Sequence, residues 1–211
     1  MKSVIMRNTE LAASAIVCFA AYAFGILALH FMHPEIDPIR QHISKYVTAE
    51  NGDILQSALL VLGLGTLALA TGLWRSLSSS STTKVELVLL ALFGFGIILV
   101  MVFPTDAEGA PSTPTGTVHS IAFVFSCLCL IPAQILLSLK FRQDGRWRSF
   151  APYSMAIALL VATAFVAFAA TSGTEFTGLT QRIFVATFMA WLIATAFRLR
   201  YVARLDRAKR S

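Results

Sequence analysis

The chain has 211 residues, of which 56% are hydrophobic and only 13% are charged, and its mean hydropathy is +0.72. A typical soluble domain carries about 25% charged residues. Too few polar side chains are present to cover a soluble globule, which excludes a soluble enzyme, a nucleic-acid-binding module and a disordered chain. The net charge of +6 does not indicate nucleic acid either, because the basic residues flank apolar segments.

Six apolar segments are long enough to be membrane spans, since a transmembrane helix needs about 20 residues to cross about 30 Å of hydrocarbon. They are rich in Leu, Ala, Val, Ile and Phe and lack the alternation of a membrane β-barrel. We therefore predict an all-α bundle of six transmembrane helices that forms one integral membrane domain over residues 1–211. The predicted spans are 11–32, 54–74, 85–103, 117–139, 150–171 and 179–196.

The positions of Lys and Arg predict the orientation of this bundle. Fourteen of the 17 basic residues fall on the side that carries both termini, and only Arg40, Lys45 and Arg182 fall on the other. Because cytoplasmic loops are enriched in basic residues, both termini are predicted to be cytoplasmic. The first span has a signal-peptide alternative at Ala21-Tyr22-Ala23, but its apolar run continues to Met32, which is long enough to span.

The first extracytoplasmic linker is predicted to contain a short amphipathic helix that lies in the membrane interface. Asp37-Pro38 matches an N-cap followed by proline at the first helical position. Apolar residues then recur at helical spacing, at Ile36, Ile39, Ile43 and Val47. Further along, Asp53 is predicted to cap the second helix, with Gln56 as its capping-box partner.

The residues that could act in catalysis or ligand binding lie mostly on the predicted extracytoplasmic side, which has all four histidines and seven of the 11 acidic residues. His119 falls about one turn inside the fourth helix, whose N-terminus disfavours a cation, so a neutral imidazole is predicted. Arg182 is near the start of the sixth helix, where an arginine is costly unless it is paired or reaches water. Its expected partners are Asp106, Asp53 or a lipid phosphate, and simple snorkelling to the interface is the alternative.

Five short motifs occur in a fixed order along the chain. They are Asp37-Pro38, Ile43-Ser44-Lys45-Tyr46, Phe103-Pro104-Thr105-Asp106, Gly116-Thr117-Val118-His119 and Gly178-Leu179-Thr180-Gln181-Arg182. Over nearly the whole chain this set resembles the prokaryotic membrane family called domain of unknown function 998. The resemblance implies a six-helix protein of the prokaryotic plasma membrane, with no established reaction. The positions it picks out are Asp37, Ser44, Tyr46, Asp106, His119 and Arg182.

Two functions compete for this set of residues. The first is lipid binding or handling without chemistry, with an anion or headgroup site formed by Arg182, Gln181, Tyr46 and Asp37 beside three helix N-termini. The second is a membrane-embedded lipid hydrolase or transferase. In that alternative His119 acts as the base, Asp106 orients it, and Ser44 or water is the nucleophile.

A metal or haem protein and a transporter are the remaining alternatives. His30 and His33 have i, i+3 spacing, and His30 with His119 could bracket a haem. The helical pair of histidines typical of intramembrane zinc hydrolases is missing, and no paired broken helices indicate a transporter. We therefore predict no metal and no cofactor. Membrane lipids are the predicted partners, nucleic acid is not, and homo-oligomerisation is left open.

Overall fold

The computed structural model describes residues 2–77, 84–107 and 109–208, with side chains from residue 8 onward. This described part of the chain is helical and contains no β-strand. The six long helices are α1 (Lys2–Met32), α2 (Asp53–Ser76), α3 (Val85–Val102), α4 (Pro114–Gln143), α5 (Ala151–Ala170) and α6 (Thr177–Ala208). All six are long and apolar enough to cross a membrane, which confirms the predicted all-α architecture.

Four of the helices are longer than the predicted spans, although α2 exceeds its span by only three residues. The shortest helix, α3, has 18 residues and covers about 27 Å at a rise of 1.5 Å per residue. By contrast α1, α4 and α6 continue past their predicted ends, because the apolar pattern marks only the segment that crosses hydrocarbon. Basic residues in the last turns of α4 and α6 favour this continuation, since positive charge near a helix C-terminus is stabilising.

The helices form a closed ring in which each packs against the next in the chain. The last helix, α6, packs back on α1 and also contacts α2. Phe93, Phe184 and Trp191 are buried in the core, whereas Phe24 and Phe31 are 72% and 79% exposed. Large apolar side chains on both the inner and the outer faces are typical of helices that are surrounded by lipid.

The two ends of the bundle have different connections. At the terminal end, where α1 begins and α6 ends, Arg146 donates to Asp144 and Asp206 at 2.9 Å and to the carbonyl of Ser76. This arginine therefore ties α2 to α6. At the opposite end, which we call the loop end, lie residues 33–52, 103–107, 109–113 and 171–176. Lys209 and Arg210, which contribute to the basic count of the termini, lie outside the described residues.

Residues 33–52, which we call the first loop, cover the loop end of α1 and α2. The expected short helix is present, but it is a 3₁₀ helix that begins later than predicted, at Ile43–Thr48. Asp37 does not cap it, because its Oδ1 accepts from the N–H of Ile39 at 2.8 Å in a separate tight turn. The apolar side chains of the loop pack on the bundle. The buried cluster consists of Leu29, Ile36, Ile43, Tyr46 and Leu55.

The start of α2 also differs from the sequence prediction. Asp53 is the first residue of the helix, Gly52 is its N-cap, and no side chain makes a capping hydrogen bond. Asn51 has a left-handed backbone with φ of 58°, and this turn lets its carbonyl accept from the N–H of Ile54. The predicted Asp53 cap is therefore wrong, because the turn at Asn51 starts the helix one position earlier. The carboxylate still lies in the first turn, where the helix dipole favours negative charge.

Candidate functional site

A cavity of about 470 Å³ lies between the helices at the loop end, and we call it the loop-end cavity. Its walls come from all six helices, and residues His42, Ile43 and Ser44 of the first loop form its roof. Its volume is within the range of about 300–1,000 Å³ that is usual for small-molecule sites. The first loop, although it contains little regular structure, therefore borders a cavity between the helices.

The loop-end cavity is polar next to the loops, at the end that we call its mouth, and apolar in its depth. The polar lining residues are His42, Ser44, Thr105, His119, Ser120, Ser172 and Gln181. Deeper in the bundle the lining is aliphatic and aromatic, and it reaches Leu62 and Phe188. These residues lie about 14–16 Å along α2 and α6 from the loop-end start of each helix, at 1.5 Å per residue. The cavity therefore extends through about half of a hydrocarbon core that is about 30 Å thick.

A second cavity of about 350 Å³ adjoins the first, and we call it the charged pocket. The two share His42, Ser44 and Thr105 in their linings. Arg40, Lys45 and Asp106 also line the charged pocket. A polar region with charged groups therefore lies directly beside the mouth of an apolar cavity.

Arg182 holds the first loop on α6. Its Nη1 donates to the backbone carbonyl oxygens of Pro38 at 2.9 Å, Gln41 at 2.7 Å and Gly178 at 3.1 Å. Its Nε donates to Nε2 of His30 at 2.9 Å, which adds a link to α1. One half-buried guanidinium thus joins α1, α6 and the first loop.

The partners of Arg182 differ from those expected from the sequence. Besides these four acceptors it approaches the hydroxyl of Tyr46 at 3.5 Å, and none of its described partners is a carboxylate. The predicted pairing with Asp106 or Asp53 is wrong, because neutral backbone carbonyls satisfy the guanidinium instead. Nor is Arg182 part of the lining of the loop-end cavity or the charged pocket.

Neighbouring residues of α6 reinforce the same attachment. Leu179 donates its N–H to the carbonyl of Ile39 at 2.9 Å, and Ile43 donates its N–H to Oε1 of Gln181 at 2.7 Å. A Cβ atom at Gly178 would lie 2.5 Å from the carbonyl oxygen of Gln41, so only glycine allows the loop to approach α6 this closely. The motif that ends in Arg182 is therefore a docking surface for the first loop.

The histidines at the end of α1 use both ring nitrogens within the protein. Nδ1 of His30 donates to the carbonyl of Ile26 at 2.8 Å, while its Nε2 accepts from Arg182. His33 contacts the carboxylate of Glu35 at 2.8 Å and the carbonyl of Glu50 at 2.7 Å. Hydrogen bonding to Glu35 raises the pKa of His33. Both partners of this histidine accept hydrogen bonds, which favours the charged ring. Among the described residues no group of three or more potential ligands could hold a metal ion.

His119 is 8% exposed and is held against the end of α3. Its Nδ1 lies 2.8 Å from the carbonyl oxygen of Phe103 and 3.2 Å from that of Val100. Carbonyl oxygens only accept hydrogen bonds, so Nδ1 carries a proton, and in the neutral form of the ring Nε2 presents a lone pair. No described residue bonds to Nε2, which leaves this nitrogen as the acceptor that His119 offers to the loop-end cavity.

Asp106 accepts hydrogen bonds from the start of α4 and does not orient His119. Its carboxylate accepts from the hydroxyl of Thr113 at 2.6 Å and from the N–H of Thr113 at 3.0 Å. These two hydrogen bonds hold the pKa of Asp106 below its usual range. Thr113 is the N-cap of α4 and accepts from the N–H of Gly116. Any Cβ atom at Gly116 would collide with the carboxylate of Asp106, so glycine permits this arrangement.

The structure thus divides the predicted site residues into three groups. Ser44, His119 and Gln181 line the loop-end cavity, and Asp106 lines the adjoining charged pocket. Arg182, Tyr46 and Asp37 belong to the docking and turns of the first loop. Sequence reasoning missed the aromatic wall of the cavity, because phenylalanines occur throughout the spans and nothing in their pattern marks a cavity. This wall consists of Phe123, Phe165, Phe168 and Phe188.

Comparisons with known proteins agree with this architecture. No curated protein and no solved structure matches the chain. The model of one protein family, described as protein of unknown function (DUF998), matches residues 16–198, which is most of the chain and covers all or part of each of the six long apolar helices. The six-helix membrane protein described above therefore belongs to the family of domain of unknown function 998.

Proposed function

We propose that this multi-pass membrane protein binds a membrane lipid in the loop-end cavity. The hydrocarbon chain lies along the apolar depth, and the polar end lies at the mouth beneath the first loop. The observation that carries the proposal is the polarity gradient of this single cavity, which passes from serine, histidine and glutamine to leucine and phenylalanine. A lipid that enters from one leaflet has the same gradient over the same depth, about half of a bilayer core.

A leucine pair on α2 provides a matched test of the proposal. Leu59 lines the loop-end cavity, whereas its neighbour Leu60 is exposed on the outer surface of the bundle. Leu59→Trp would fill the cavity and should abolish co-purification of lipid, measured by native mass spectrometry after detergent exchange. Leu60→Trp adds the same side chain outside the cavity and should retain the lipid. Equal lipid retention by both variants would contradict the proposal.

A second candidate function is lipid ester hydrolysis, and the orientation of His119 favours it. With Nδ1 held by Phe103, Nε2 is available as a base, and the hydroxyl of Ser44 lines the same cavity. Nε2 would take the proton of Ser44 or water as the oxygen attacks an ester carbonyl, and would return it to the leaving alcohol. Where Ser44 attacks, water then hydrolyses the acyl-serine, with Nε2 taking the proton of the water and returning it to Ser44 as the fatty acid leaves. Release of labelled fatty acid by wild-type protein and not by His119→Ala would support this activity.

We also infer that the termini face the cytoplasm of a prokaryotic cell, with the loop end outside. The support is the distribution of the basic residues, 14 of which flank the terminal end and three the loop end. The loop-end cavity would then receive lipid from the outer leaflet of the plasma membrane.

A further inference from the structure

The polar groups at the mouth of the loop-end cavity have a defined hydrogen-bonding character. In the neutral imidazole, Nε2 of His119 is a lone-pair acceptor, because Nδ1 donates to the carbonyl of Phe103. Gln181 is 7% exposed, and its Oε1 accepts from the N–H of Ile43. That bond shows which end of the side-chain amide is the oxygen, so the NH₂ group at the other end remains as a donor. The mouth therefore contains one fixed acceptor and one fixed donor.

The lining of this cavity also lacks fixed charge. Among the described residues that line it, none is Asp, Glu, Lys or Arg. None of the three cations of the loop end lines this cavity. Arg182 bonds to four acceptors outside the lining, Arg40 forms surface ion pairs with Asp37 and Glu175, and Lys45 lines the charged pocket instead. A phosphate or carboxylate inside the cavity would thus be desolvated without a cation, which is costly.

We propose that the lipid carries a free hydroxyl at the end that enters this mouth, as in a fatty alcohol, a prenol or an acylglycerol; this rests on the lipid binding proposed above. A hydroxyl both donates and accepts, so it matches an acceptor such as His119 and a donor such as Gln181. An ether oxygen only accepts hydrogen bonds. An ether bound at this site therefore leaves Nε2 of His119 buried without a partner. His119 is therefore the residue that sets specificity for the hydroxyl.

Three ligands with the same hydrocarbon chain test the inference: dodecanol, dodecyl methyl ether and dodecyl phosphate. Each competes with tritiated dodecanol for the full-length protein in nanodiscs, with Leu59→Trp as the blocked-cavity control. We expect dodecanol to bind about tenfold more tightly than the ether, the loss typical of one buried acceptor left unpaired, and the phosphate to bind most weakly. In His119→Phe the alcohol should lose this advantage over the ether, because the acceptor that the ether leaves unpaired is gone.

The outcomes separate the two levels of the proposal. If the ether or the phosphate matches dodecanol on the wild-type protein, the hydroxyl preference is wrong although lipid binding stands. If none of the three binds better to the wild-type protein than to Leu59→Trp, the lipid site itself is wrong. The wild-type comparison needs no variant of His119, so it decides the hydroxyl preference even if His119→Phe does not fold.

Discussion

Replacement of Arg182 by glutamine should strongly destabilise the protein. The change removes three hydrogen bonds to backbone carbonyls and one to His30. A hydrogen bond to a charged group contributes about 1.5–3 kcal/mol, but the half-buried side chain lets water replace some of the lost partners. Counting one to two net bonds, we expect Arg182→Gln to lower the free energy of unfolding by about 2–4 kcal/mol.

The measurement is an SDS titration of the purified protein, followed by circular dichroism. Arg40→Gln is the matched control, because this arginine belongs to the first loop itself, its side chain is 65% exposed, and its contacts with the described residues are surface ion pairs. Such pairs contribute about 0–1 kcal/mol, so the control should be nearly neutral. Arg182→Lys should recover only part of the loss, because an ammonium lacks the planar fork that reaches several acceptors.

A double-mutant cycle with Asp106→Asn tests whether Arg182 is held by backbone carbonyls, an arrangement that we call the clamp, or by an ion pair with Asp106. Arg182 and Asp106 have different partners, so their effects on the free energy of unfolding should add to within about 0.5 kcal/mol. A coupling of more than about 1 kcal/mol would mean that the two charges interact. A loss as small as that of Arg40→Gln would refute the clamp altogether.

Three further predictions concern other parts of the loop end. Gly116→Ala should cost about 1–3 kcal/mol of stability, since its methyl group meets a carboxylate, whereas Gly145→Ala has open space and should be neutral in the same SDS titration. Because the pKa of His33 is raised in the folded protein, its contribution to stability should be complete below about pH 6.5 and lost as the pH rises through the raised value. Melting curves of Glu35→Gln should show a weaker dependence on pH, since the largest cause of the shift is then removed. A membrane-impermeant maleimide should label Ser112→Cys in intact cells and Gly145→Cys only after permeabilisation; the opposite result would place the termini outside.

The six spans were predictable because hydrocarbon imposes a length and a composition that can be read along the chain. The ends of α4 and α6 were not, since a helix continues past the hydrocarbon wherever its polar residues permit, as Lys140 and Arg142 do at the end of α4. The short helix of the first loop was expected, but its start was misplaced. Asp37 forms a turn of its own there, and side-chain pattern does not distinguish that turn from an N-cap.

The candidate site was predicted in part, and its errors have a common cause. Ser44, His119 and Gln181 were singled out and do line one cavity. The partners of Arg182 and Asp106 were wrong, because charge complementarity is visible in a sequence whereas backbone carbonyls and N–H groups are not. Every residue has such groups, so only the path of the loop decides which of them a guanidinium meets.

The order of synthesis gives the clamp on the first loop a further consequence. The acceptors of Arg182 at His30, Pro38 and Gln41 lie 152, 144 and 141 residues earlier in the chain. At about 5–20 residues per second, the first loop is made about 7–30 s before the arginine that fastens it. During that interval five helices can insert while the loop is still open to water and to proteases. Closure of the loop therefore marks completion of the bundle, and a nascent chain that stops before α6 is distinguishable by its unfastened first loop.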